Sequence, residues 1–148
     1  MKERPKVLII DDNTNMRDTL ADILEEKGYE VATARTALEA IQVAQKSFFN
    51  IALIDINLPD KTGIELLKRF RGMYPSRINI MITASARVKN AVDAVNLGAN
   101  GYILKPIDFI ELDQIMKDSL RKQQKTLKTT EERLAEFMKN TTEGQQAH

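Results

Sequence analysis

Residues 51–60 read Ile51, Ala52, Leu53, Ile54, Asp55, Ile56, Asn57, Leu58, Pro59 and Asp60. Four consecutive apolar residues bounded by an acid and then by turn formers suit a short strand buried on both faces. The acid stands where that strand emerges. Three further runs repeat the pattern outward along the chain: Val7 to Ile10, Ile78 to Ile82 and Tyr102 to Leu104. A fifth segment, Tyr29 to Ala34, alternates more and fits an edge strand with one wetter face. Between these runs lie stretches with helical spacing, Met16, Leu20, Ile23 and Leu24 in one and Val88, Ala91, Val92 and Val95 in another.

Local punctuation agrees with that alternation. Gly28 and Gly98 stand where the first and fourth helices stop, as a left-handed residue after a helix end requires. Thr36 with Glu39, and Thr62 with Glu65, read as capping boxes that open the second and third helices. Five strand–helix units of this size predict an α/β domain over roughly residues 5 to 121, a doubly wound five-stranded parallel sheet with helices on both faces. In such a sheet ligands sit at the carboxyl ends of the strands.

Composition narrows the chemistry available there. The chain has 148 residues and 43% apolar residues, enough for one core. Lys plus Arg, 22, nearly cancel Asp plus Glu, 21, so no global bias toward nucleic acid or acidic membrane exists. With no Cys and a single His at position 148, disulfides, thiol nucleophiles and zinc clusters drop out. The apolar run after Lys2 and Arg4 is too short for a signal peptide or membrane span, and a cytoplasmic protein is expected.

Past the strand ends come Asp11 and Asp12, Asp55, Thr83 with Ala84, and Lys105 with Pro106. Carboxylates, a hydroxyl and an ammonium thus fall on one edge. Crowded carboxylates repel one another unless a cation sits among them, and all-oxygen ligation suits Mg2+, with Mn2+ as a substitute. With the metal neutralising a phosphoryl donor, one carboxylate can act as nucleophile while Lys105 and Thr83 hold the phosphoryl oxygens. Taken singly, each residue has an ordinary reading. Asp12 could cap the first helix, Asp55 could be a turn residue, Thr83 a strand-end Thr, and Lys105 with Pro106 a turn. Their joint arrangement at four strand ends is what points to a site.

The paired acids Asp11 and Asp12, the stretch Asp55, Ile56, Asn57, Leu58, Pro59, Asp60 with Gly63, then Thr83 with Ala84 and Lys105 with Pro106, resemble the response-regulator receiver family. The resemblance spans nearly all of residues 5 to 121 and implies a flavodoxin-like (βα)5 fold with strand order 2-1-3-4-5. It implies that Asp55 accepts a phosphoryl group from a sensor histidine kinase or phosphotransfer protein. Asp11, Asp12 and Asp55 are then metal ligands, with the backbone carbonyl of Asn57. Thr83 and Lys105 form the switch pair, Tyr102 is the switching aromatic, and the Lys105–Pro106 bond is cis. Read without the family, Tyr102 is an edge-strand aromatic packed on the sheet and that bond is trans. Asn57 and Ser85 occupy positions that tune dephosphorylation in the family.

The implied role is a non-enzymatic, Mg2+-dependent phosphoacceptor whose conformation controls a partner or output domain. Its output surface is the face of the fourth helix, fifth strand and fifth helix, where Arg87, Lys89 and Asn90 meet a partner or, in the ordinary reading, solvent. The alternative is a receiver-like scaffold that works without phosphorylation. An aspartyl phosphatase would need a second Asp where Asn57 stands, and a flavodoxin-like nucleotide binder would need a neutral phosphate cradle where Asp11 and Asp12 stand.

The receiver unit is assigned to residues 1–121. Beyond it Leu120, Leu127 and Leu134 recur every seventh position, accompanied by Met116 and Phe137, while Gln123 and Thr130 interrupt the second row. Residues 122–148 therefore read as a helical linker, a dimerisation helix of a homodimer, or a disordered tail. They are too few for a separate domain, whose practical floor is roughly 40 residues. No nucleic-acid binding and no membrane insertion by this chain is expected.

Overall fold

The computed structural model describes residues 4–84 and 87–146, with side chains through residue 140; Lys2, Ser85 and His148 lie outside the described residues. In chain order the elements are β1 (Lys6–Ile10), α1 (Thr14–Glu26), β2 (Glu30–Ala34), α2 (Ala37–Lys46), β3 (Ile51–Asp55), α3 (Gly63–Met73), β4 (Ile78–Thr83), α4 (Val88–Asn96), β5 (Gly101–Leu104) and α5 (Phe109–Gln146). All paired strands run parallel, in the order β2-β1-β3-β4-β5. The expected fold class, strand order and edge position of β2 hold.

Side-chain alternation explains how one sheet serves two layers of helices. Val7 and Ile9 join Leu53, Ile80 and Ile103 under α1 and α5, which contribute Leu20, Leu24, Leu112 and Met116. Leu8 and Ile10 point the other way, with Ala52, Ile54 and Met81, against Ala40 and Ile41 of α2 and Leu66, Leu67 and Phe70 of α3. β1, β3 and β4 are buried on both faces, which is why their sequences are mostly apolar, with Asn79 a buried polar residue within β4.

The caps follow the local signals. Thr36 Oγ1 accepts from the Glu39 N–H at 3.0 Å and Thr62 Oγ1 from the Glu65 N–H at 3.2 Å. Gly28 and Gly98 have φ of 96° and 83°, the left-handed values a helix stop demands. The first helix is capped by Asn13, whose Oδ1 accepts from the Met16 N–H at 3.0 Å, and not by Asp12. The row Val88, Val92 and Val95 marks α4 but is not its inward face, since these residues are 76%, 49% and 69% exposed and Ala94 is the buried one. Periodicity reports that a helix has an apolar stripe; what covers the stripe is a tertiary matter.

The heptad of the last segment also changes meaning. α5 runs unbroken to Gln146, and Gln123 is an anchor in it, only 5% exposed. Its Nε2 donates to the carbonyls of Asn50 (3.2 Å) and Ser76 (2.9 Å), while its Oε1 accepts from Asn50 Nδ2 at 3.1 Å. Asn50 Oδ1 in turn accepts from the Lys6 N–H at 2.9 Å. The entries to β1, β3 and β4 are thus tied to α5 past residue 121. Gln123→Leu would remove one of the two polar interruptions of the heptad yet strand these groups. The expected result is a loss of about 2 kcal/mol, the cost of leaving buried polar groups unpaired, read from the urea midpoint. An unchanged or raised midpoint would refute the anchor.

Candidate functional site

Because the strands are parallel, their carboxyl ends share one edge, and the register decides which residues meet there. Ile10 pairs with Ile54, Asp55 with Ile82, and Thr83 with Leu104. Asp55 and Thr83 are therefore the last residues of β3 and β4, one step inside the expected position, while Asp11 and Lys105 immediately follow β1 and β5.

Asp11 is 4% and Asp55 6% exposed, whereas Asp12 lies at the surface. One carboxylate oxygen from each of the three lies within 4.8 Å of the others. Lys105 Nζ donates to Asp11 Oδ2 at 2.9 Å and to Asp55 Oδ2 at 3.2 Å, so one ammonium bridges the two buried acids. Their other oxygens are held by the main chain: Asp11 Oδ1 accepts from the Asn13 N–H at 2.9 Å and Asp55 Oδ1 from the Asn57 N–H at 3.0 Å. The Lys105 N–H donates to the Thr83 carbonyl at 2.8 Å, which seats the lysine, and the Lys105–Pro106 peptide bond is cis.

The electrostatics of the cluster favour cations. Burial pushes the Asp55 carboxyl up and the charge of Asp11 adds to it, outweighing the Asn57 N–H and Lys105, which stabilise the carboxylate. Burial alone would push the Lys105 ammonium down, but its hydrogen bond to Asp11 and the charges of Asp55 and Asp11 hold it above the ordinary lysine range. Asp11, Asp55 and Lys105 act on one another in both shifts, with burial raising Asp55 and opposing the charge on Lys105. A hard divalent cation taking oxygen ligands fits this donor set, with Asp11, Asp12 and Asp55 as the residues to hold it.

Thr83 is fully buried. By strand alternation it shares a sheet face with Met81, which pairs with Tyr102, so Thr83 and Tyr102 both belong to the side of the sheet that carries α4. Tyr102 is half-buried against that layer, and burial raises its phenol above the ordinary range.

Three further residues brace the site, none of them assigned a role from sequence. Arg17 of α1 is 9% exposed and donates from NH1 to the Asp11 carbonyl at 2.9 Å, bracing the turn after β1. Gly63 donates its N–H to the Ile56 carbonyl at 2.7 Å and closes the loop after β3. Asp60 accepts from the Ala37 and Leu38 N–H groups, both at 2.9 Å. Asp60 and Gly63 carry a sequence signal only as parts of the stretch that begins at Asp55, which does not reveal their partners; an arginine whose partner is a backbone carbonyl leaves none.

The family model described as Response regulator receiver domain matches residues 7–117. The chain belongs to this receiver family. The receiver is similar to a CheY-like response regulator receiver domain protein from Methanospirillum hungatei JF-1, with 40% identity and a TM-score of 0.81, covering 84% of this chain and 99% of that one. Among curated proteins, the transcriptional regulatory protein ZraR of Klebsiella oxytoca is 33% identical over 118 residues, which are 80% of this chain and 27% of ZraR. The alginate biosynthesis transcriptional regulatory protein AlgB of Pseudomonas syringae is 34% identical over 101 residues, 68% of this chain and 22% of AlgB. The receiver thus spans about a quarter of the length of these relatives. The response regulator TrrA from Thermotoga maritima, solved in complex with Mg(2+)-BeF, matches with 27% identity and a TM-score of 0.71 over 78% of this chain and 98% of that one. Receiver domains are phosphoacceptors that bind Mg2+ at an acidic pocket, and Asp11, Asp12 and Asp55 form an acidic cluster here. No helix among the described residues is long and apolar enough to cross a membrane.

Proposed function

We propose that Asp55 is the phosphoacceptor of this receiver, taking its phosphoryl group from a sensor histidine kinase or phosphotransfer protein in the cytoplasm. The observation that carries the reading is the Lys105 ammonium shared by Asp11 and Asp55 beside Asp12. An oxygen of Asp55 attacks phosphorus, the bond from phosphorus to the donor breaks, and the donor leaves with the electron pair. Mg2+, or Mn2+ in its place, supplies charge neutralisation at the phosphoryl oxygens when held by Asp11, Asp12, Asp55 and the Asn57 carbonyl. Lys105 exchanges its bond to Asp55 for one to a phosphoryl oxygen and keeps Asp11 as its second partner. The protein itself is the acceptor, so the reaction ends at one phosphoryl group per chain and no turnover is required of it.

Thr83 donates its hydroxyl to the same group, and Tyr102, on that side of the sheet, follows it inward. A shift from about 1:99 to 99:1 needs about 5.5 kcal/mol, which a hydroxyl and an ammonium at about 1.5–3 kcal/mol each nearly supply before the metal. The face that responds is that of α4, β5 and α5, where Val88, Val95, Leu104 and Ile110 are exposed and suit an output domain or partner. The end of α5 exposes Leu134, which suits a linker helix or a second copy in a homodimer.

Intact-mass spectrometry after incubation with acetyl phosphate tests the reading. The expected result is a gain of one phosphoryl group that requires Mg2+. Thr83→Ala is expected to gain the same mass while losing the change in α4 and β5 amide shifts. No gain with either metal would transfer the choice to the phosphorylation-independent scaffold.

A further inference from the structure

The connection from β3 to α3 is closed at its base, since the Gly63 N–H donates to the Ile56 carbonyl at 2.7 Å and Asn57 bridges Thr62 in antiparallel fashion. Its tip is held by something else. The exposed Asp60 reaches α2, where Oδ1 accepts from the Ala37 N–H and Oδ2 from the Leu38 N–H, both at 2.9 Å. These are donors in the first turn of α2 that the helix cannot satisfy itself, and a carboxylate there also meets the positive end of the helix dipole. Thr36 takes a different donor, the Glu39 N–H, so the two side chains cap α2 without competing. Burial raises the Asp60 carboxyl, but the backbone N–H groups of Ala37, Leu38, Asp60 and Lys61 together hold it below the ordinary aspartate range.

At the loop's other end the Asn57 N–H grips Asp55 Oδ1 at 3.0 Å. The loop is therefore a short strut between the start of α2 and the carboxylate at the end of β3. Freed from α2, the tip at Asp60 loses its outer fixing, and the Asn57–Thr62 bridge at the base is left alone to hold the Asn57 N–H in line with Asp55.

We propose that Asp60 is a positioning residue of the phosphoacceptor site: by fastening the loop to α2 it fixes the Asn57 N–H that orients the Asp55 carboxylate, and the Asn57 carbonyl offered to the cation. This rests on the phosphoacceptor reading above. It makes the start of α2, which touches no reacting atom, part of the apparatus that sets metal affinity and phosphoryl uptake.

The test compares the full chain with Asp60→Ala, Asp60→Asn and Thr36→Ala, well below the Tm of each. Mg2+ affinity is read from the Asn57 amide in 15N–1H NMR spectra, and uptake from the rate of mass gain with acetyl phosphate at saturating Mg2+. Asp60→Ala is expected to weaken Mg2+ binding and slow uptake each roughly tenfold, the scale at which outer partners of metal ligands act. Asp60→Asn, which keeps one acceptor oxygen, falls between that variant and wild type. Thr36→Ala loses a cap of α2 and some stability, but keeps wild-type affinity and rate because the strut is intact. Wild-type values in Asp60→Ala, or equal losses in Thr36→Ala, would overturn the proposal, the second by showing that only the stability of α2 matters. A wild-type protein that binds Mg2+ but gains no phosphoryl group would overturn the phosphoacceptor reading, with the metal titration still deciding the role of Asp60. A wild-type protein that binds no Mg2+ would overturn both.

Discussion

Asp55→Asn is expected to abolish phosphoryl uptake completely and, in metal-free buffer at neutral pH, to raise the melting temperature. The first result follows from the proposed chemistry, since an amide oxygen at that position offers no carboxylate to attack phosphorus. The second follows from the surroundings of Asp55. Burial and the charge of Asp11 lift its carboxyl above the ordinary range, more than the Asn57 N–H and Lys105 lower it. An acid whose folded pKa exceeds its unfolded value binds its proton more tightly in the fold. Stability therefore falls as pH rises from the unfolded value through the folded one, and the full penalty is present at neutral pH. The amide never ionises and escapes it. The advantage of the variant should vanish below about pH 3.9, where the carboxyl is protonated in both states. Melts of both proteins across that range, without divalent cations, measure the difference directly. A variant no more stable than wild type at neutral pH would mean that Lys105 compensates Asp55 fully. Adding Mg2+ should reverse the order, because the wild-type site has one more carboxylate to offer.

Gly63→Ala is the second large effect. A Cβ at this position would lie 2.3 Å from the Asp55 carbonyl oxygen, 2.7 Å from Ile56 Cα and 2.9 Å from the Asp55 carbonyl carbon. All three are backbone atoms, so no side chain can swing aside. The backbone of α3 must retreat from the end of β3, breaking the 2.7 Å bond from the Gly63 N–H to the Ile56 carbonyl. The cost is about 3 kcal/mol, the upper part of the usual range for overpacking. It corresponds to a fall in melting temperature of roughly 10 °C at about 2–4 °C per kcal/mol for a chain near this size. Because the retreat displaces Asp55 itself, Mg2+ affinity should fall in the protein that remains folded. Unaltered stability and metal binding would show that α3 can move without disturbing the strand end.

The sheet was legible because its central strands are buried on both faces, so burial is written into the sequence as unbroken apolar runs such as Ile51 to Ile54. Helix boundaries were legible where a side chain satisfies its own helix, as Thr36 and Thr62 do, or where only glycine tolerates the backbone, as at Gly28 and Gly98. The residues at the strand ends were legible for a related reason: in a parallel sheet, order along the chain fixes which edge each residue reaches.

What the sequence by itself determined, then, is the set of elements and the shared edge on which Asp11, Asp12, Asp55, Thr83 and Lys105 stand. Tertiary structure alone decided the couplings among them. Asp60 looks like any turn acid until its partners on α2 are seen, Gln123 breaks a heptad until it lies against Asn50 and Ser76, and the valines of α4 mark a core face until they prove exposed. The physical reason is the same in each case. Periodicity and capping are consequences of local geometry, whereas a hydrogen bond between residues far apart in sequence, or the side on which an apolar stripe is covered, depends on where other elements come to rest.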